Sequence, residues 1–181
     1  MQPAAGPDIP PQRRGFTIGR VLAIVVVVAI VIFWFLVLSG WFNKRNPDYL
    51  KDRSFVSRTA DRCASARRAI NRLPPASASR SASDRADAID TATDRLATMV
   101  AAIAADVPNN PSDATIVKSW VADWRVYLGN RRDYTTRLRK KPRAQFLVDE
   151  KPKAGDPYDA VIKNFADAND MPDCAPTLDV G

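Results

Sequence analysis

Between Val21 and Leu38 the chain reads VLAIVVVVAIVIFWFLVL, 18 residues without a charge. As a helix this stretch rises roughly 27 Å, close to the roughly 30 Å of a bilayer's hydrocarbon core. Phe16, Trp41 and Phe42 extend the apolar character at both ends, so the predicted transmembrane helix covers residues 16–42. Its many Val and Ile residues do not argue for a strand here, because inside lipid only a helix satisfies every backbone amide within its own segment. Trp34 and Trp41 suit an interfacial belt on the C-terminal side. A cleaved signal peptide would have a shorter apolar region and an A-x-A-like site. This run ends instead in Leu38-Ser39-Gly40-Trp41, which also lacks the cysteine a lipoprotein requires.

Beyond the span the apolar period changes to alternating steps of three and four, the mark of amphipathic helices. Tyr49, Val56, Thr59, Cys63, Ala66, Ile70 and Leu73 predict a first helix that Pro74-Pro75 end. A low-complexity linker, residues 74–83, follows, and Ser81 with Asp84 three residues on resembles a capping box. Ala86, Ile89, Thr93, Leu96, Val100, Ile103 and Val107 predict a second helix, stopped by Pro108. A third opens near Ser112, carries Val117, Trp120, Trp124, Tyr127, Tyr134 and Leu138, and closes at Pro142. A short fourth helix is announced by Asp156 as N-cap and Pro157 at the first helical position, with Tyr158, Val161, Ile162 and Phe165 on its apolar face. Residues 144–149 are left open as a short extended piece.

The fold class that follows is all-α: a single N-terminal transmembrane helix, then a small antiparallel bundle of three long helices and one short C-terminal helix. The sustained 3.5-residue period favours left-handed packing. Residues 1–15, with four prolines and no periodicity, read as a disordered tail, and residues 43–181 as one soluble domain.

Two cysteines, Cys63 and Cys174, stand near opposite ends of that domain. Three helices running up, down and up, followed by a descending fourth, bring Cys174 back towards the middle of the first helix. A disulfide is therefore expected, against the alternatives of two unrelated buried thiols or a bridge between chains. A disulfide implies an oxidising compartment. The positive-inside count opposes that, with Arg13, Arg14 and Arg20 before the span and Lys44, Arg45, Lys51, Arg53 and Arg58 after it. Long domains translocate largely regardless of charge. The expectation is thus a bacterial plasma-membrane protein, N-terminus cytoplasmic and C-terminal domain extracytoplasmic; Arg-rich, Lys- and Glu-poor composition supplies the bacterial reading.

Composition then narrows the chemistry. The chain has no histidine, which removes the commonest general base and transition-metal ligand. The serines of the linker have no base beside them, the cysteines have no histidine, and no glycine-rich phosphate loop is present. The acidic pairs Asp84/Asp87 and Asp90/Asp94 are expected to pair locally with Arg85 and Arg95 on a helix surface. No catalytic, cofactor or metal site is expected.

Two features invite a binding role. Trp120, Trp124, Tyr127 and Tyr134 form either core or, less in keeping with helical spacing, an aromatic groove for a ligand. Arg131 falls on the same face, where it either snorkels to water or meets Asp61 or Asp94. Arg131, Arg132, Arg137, Arg139, Lys140, Lys141 and Arg143 place seven cations in 13 residues, a patch for an anionic partner or merely a solvated helix end. Bundle topology places this patch far from the chain's own membrane, and the lack of interleaved aromatics disfavours nucleic acid. From residue 43 onward 24 cations face 19 acids, a net of +5. The leading expectation is a membrane-anchored, non-enzymatic helical interaction module, an accessory or scaffold subunit of a cell-envelope complex. It contacts the bilayer through residues 16–42 and a protein partner through its domain. The alternative is a ligand-binding or sensory extracytoplasmic domain using the aromatic groove.

Overall fold

A computed structural model of the chain describes residues 18–38, 46–75, 78–152 and 155–177. The chain divides into two compact units, Met1–Lys44 and Arg45–Gly181. In the first, helix α1 (Ile18–Leu38) is 21 residues long and none of its residues is buried. By length and composition it is able to cross a membrane. The expected tail, residues 1–15, and the flanking Phe16, Trp41 and Phe42 lie outside the described residues.

The second unit is all-helical among its described residues. Its elements are α2 (Arg53–Ile70), α3 (Ala82–Ala105), α4 (Pro111–Lys140), α5 (Tyr158–Ala168) and a 3₁₀ turn, Pro172–Cys174. Local capping chemistry sets most of the ends. Asp52 accepts a hydrogen bond from Phe55 N–H at 3.0 Å and starts α2 at Arg53, four residues later than the Tyr49 of the apolar pattern. Ser81 accepts from Asp84 N–H at 3.0 Å, starting α3 where the capping signature placed it. Asn110 accepts from Ser112 N–H, with Pro111 in the first turn of α4, where a missing N–H costs nothing. Pro142 follows two residues after the end of α4.

The start of α5 corrects the sequence reading. Its N-cap is Pro157, without a side-chain cap, and Asp156 does not take that role. The N–H of Tyr158 is bonded instead to the Asp149 carbonyl at 3.0 Å, and Lys151 N–H to the Asp156 carbonyl at 2.8 Å. Glu150 and Pro157 form an antiparallel bridge, and Gly155 turns the chain at φ +73°. Backbone partners distant in sequence have replaced the local cap. The segment left open at 144–149 carries no helix; it returns along α4, where Phe146 meets Tyr134 and Tyr127.

The helices close into a ring. α3 packs along α4 on one side and α2 on the other, α5 covers α4, and the 3₁₀ turn bridges α5 to α2. Neighbours run antiparallel: Arg58 and Arg62 near the start of α2 meet Asp106 at the end of α3, and Arg139 at the end of α4 meets Asp87 and Asp90 near the start of α3. The core lies inside this ring. Trp120 stacks on Phe165 at 4.4 Å and meets Trp124 edge-on at 6.4 Å, while Phe55, Ile103 and Ile162 are fully buried.

Candidate functional site

The segment leading into the second unit is fixed by two buried polar side chains that the apolar pattern does not reveal. Asp113, in the first turn of α4 and 1% exposed, accepts from Lys51 and Asp52 N–H through one oxygen, at 2.9 and 2.8 Å. Asn169, at the C-terminus of α5 and fully buried, accepts from Leu50 N–H and donates to the Asp48 and Phe165 carbonyls. Residues 48–52 are therefore stapled to both α4 and α5. Each staple matches an otherwise unmet backbone group, which explains why these polar residues lie in a core.

The four aromatics considered as a groove are all buried, at 1–2% exposure. Trp120, Trp124 and Tyr127 belong to the main core, and Tyr134 to a smaller cluster with Ala86, Ile89 and Leu138. They fill the interior opposite small residues of α2 and α3, so they present no open aromatic face. The nearest surface feature is a cleft of about 330 Å³ lined by Trp120, Asp123, Lys151, Phe165 and the lead-in residues Pro47 and Asp48. Within it, Lys151 Nζ donates to Asp123 at 2.7 Å, an ion pair joining the 144–152 segment to α4.

The basic run does not stay together as one patch. Arg131 is fully buried: Nε donates to Thr93 Oγ1 at 2.8 Å, one terminal nitrogen reaches Thr177 Oγ1 at 3.4 Å, and the guanidinium lies 5.9 Å from the Tyr127 ring centre. It neither snorkels nor takes Asp94, which pairs with Arg132 at 3.6 Å. Its heptad position on the Tyr127–Tyr134 face draws it inward, where Thr93 and Thr177 each accept from one of its nitrogens. Arg139 is gripped by Asp87 and Asp90, which hold its guanidinium above its already high value. These carboxylates thus reach across to α4, correcting the expected local pairing with Arg85 and Arg95. Arg137 donates to the Gln145 carbonyl. Lys140, Lys141 and Arg143 are exposed.

At the other end of the unit, Asp106 accepts from Arg58 and pairs with Arg62. These bonds, that of Arg58 above all, hold its carboxyl below the usual range. Asp52 is lowered too, first by Ser54 and then by the capped Phe55 N–H. The Sγ atoms of Cys63 and Cys174 stand 2.02 Å apart in the core, linking α2 to the 3₁₀ turn. Among the described residues no group of three or more His, Cys, Asp or Glu side chains is arranged to hold a metal ion.

In comparisons with protein-family models, curated proteins and solved structures, nothing matches this chain.

Proposed function

We propose that the chain is a membrane-anchored, non-enzymatic interaction module of a bacterial cell envelope, held in the plasma membrane by α1 with the helical unit outside the cytoplasm. The observation that carries this reading is α1 itself. Twenty-one residues with no buried side chain form an apolar surface that water does not tolerate and that a bilayer matches in length. The Cys63–Cys174 pair supports the orientation, since disulfides persist in oxidising compartments. An accessory or scaffold role fits a unit whose buried polar groups Asp113, Asn169 and Arg131 hold its own chain together.

The test is alkylation of intact cells with a membrane-impermeant thiol reagent, with and without prior reduction, followed by gentle solubilisation and sizing. Thiols that react only after reduction, in a chain that co-purifies with a larger membrane assembly, are the expected result. Free thiols shielded until the cells are opened would overturn the orientation, and a chain that sizes alone would overturn the scaffold role. A second reading, ligand sensing, rests on the cleft beside Trp120. It requires a change in tryptophan fluorescence on adding a small molecule.

A further inference from the structure

We propose that the end of the helical unit opposite its lead-in segment docks a linear phosphate-bearing polyanion of the envelope, through Arg72, Arg80, Lys140, Lys141 and Arg143. The inference rests on the reading of the chain as a membrane-anchored module and names the chemistry of its partner. Antiparallel packing gathers three stretches distant in sequence at this end. Ile70 and Leu73 of the α2 exit share a cleft with Ala88 and Ala92 of α3, and Arg139 joins the α4 exit to the start of α3. The chain meanwhile enters at the far end, where Asp113 in the first turn of α4 holds residues 51 and 52. The 30 residues of α4 separate the two ends by about 45 Å.

The two ends differ in which charges are paired. At the lead-in end Asp106 is held by Arg58 and Arg62, Asp170 by Arg53 and Asp167 by Lys163. At the opposite end Asp87 and Asp90 are occupied by Arg139 and Asp173 by Arg67, while Asp84 in the first turn of α3 is exposed. Arg72, Arg80, Lys140, Lys141 and Arg143 are exposed there and have no ion-pair partner among the described residues.

Helix dipoles account for only part of this arrangement. A cation at a helix C-terminus is stabilising, which covers Lys140, Lys141 and Arg143 at the end of α4, and Arg72, whose Nε donates to the Arg68 carbonyl in the last turn of α2. Arg80, however, stands one residue before the N-cap of α3, at the positive end of that dipole. A cation kept against a dipole, with no ion-pair partner among the described residues, gains from an external anion.

The surface favours a flexible polymer over a bilayer or nucleic acid. Among the described residues, the one exposed large apolar side chain of this unit is Leu147, on the segment that returns along α4 away from the end. The end therefore offers no apolar wedge for a bilayer. Tyr134 is buried and Phe146 packs against it, so neither ring serves as a stacking platform for bases. Exposed Lys and Arg side chains drawn from separate stretches of the chain suit repeated phosphates, whose counterions they would release.

The experiment uses the full chain in nanodiscs of neutral lipid and long-chain inorganic polyphosphate as the probe, titrated over a range of salt. The quadruple variant R80Q/K140Q/K141Q/R143Q is expected to bind about tenfold or more weakly at 0.1 M salt, with the salt slope shallower by about 3. A second variant with the same charge change elsewhere, K51Q/R95Q/K118Q/R125Q, is expected to lose less than about threefold. All eight side chains are exposed, and both variants are checked for a protected cysteine pair and unchanged helix content. Equal losses in the two variants, no binding by the parent chain, or tighter binding of anionic vesicles or single-stranded DNA would each overturn the proposal. If the chain binds polyphosphate but does not fractionate with membranes, the anchored reading fails and the polyanion site stands.

Discussion

A guanidinium fully enclosed by packed side chains needs partners inside the core, and Arg131 has Thr93, Thr177 and the Tyr127 ring around it. Replacing it with alanine removes those bonds and opens a void. Arg131→Ala is expected to lower unfolding free energy by about 3 kcal/mol, whereas exposed Arg132→Ala should change it by less than about 0.5 kcal/mol. Denaturant midpoints of the two variants measure the contrast. The pH response belongs to this scale as well. A carboxylate held below its ordinary value stabilises the fold fully above that value, 3.8 for Asp106, and the contribution is lost as pH falls through the lower folded value. Stability should therefore decline below about pH 4. Asp106→Asn should flatten that acid limb in a plot of thermal midpoint against pH and leave its shape at neutral pH unchanged. That a cation sits at position 131 is plain in the sequence. Its burial was not legible, because helical periodicity gives a face and not the hydroxyls that await it there.

Helix ends divide into those set by near neighbours and those set by distant ones. The Ser81 cap of α3 is local, and Ser81→Ala is expected to cost about 1 kcal/mol, against almost nothing for Ser83→Ala two residues on. Thermal unfolding of the pair checks this. Asn169 closes α5 onto residues 48 and 50, more than a hundred positions earlier. Asn169→Ala leaves the Leu50 N–H and Asp48 carbonyl unmet and is expected to cost about 2 kcal/mol, with faster amide exchange confined to the lead-in residues. The α3 start was readable from Ser81, since cap and capped amide lie within three positions, and the α4 opening near Ser112 from the apolar period that follows it. The start of α5 was not readable, because the distant Asp149 carbonyl accepts the Tyr158 N–H in place of a local side-chain cap.

Across the whole unit, the ring of helices is closed by the shortest elements, α5 and the 3₁₀ turn, and Cys174 fastens that closure to Cys63 of α2 across 111 positions. Cutting so long a loop restores freedom mainly to the unfolded chain. The variant Cys174→Ser is expected to lose on the order of 4 to 5 kcal/mol in the chain-entropy account. Far-UV helix content at 25 °C should remain, because the Trp120–Phe165 stack and the Asn169 staple to Leu50 and Asp48 still hold α5 in place. A loss much below 2 kcal/mol in the denaturant midpoint would mean that the ring is closed by packing alone. The same closure gathers exposed cations that have no ion-pair partner among the described residues where α2 and α4 end.

The sequence by itself determined the apolar helix, the number and order of the amphipathic helices, and which face of each turns inward. These follow from period, proline and capping residues, all of which act within a few positions. Tertiary structure alone decided which polar residues are buried, how the aspartates of α3 are shared with α4, and which cations are left over at the surface. Those outcomes depend on pairs of groups brought together from separate helices: Arg139 is neutralised because α3 lies beside α4, whereas Arg80 is exposed and has no ion pair among the described residues. A one-dimensional pattern records the groups but not their meeting.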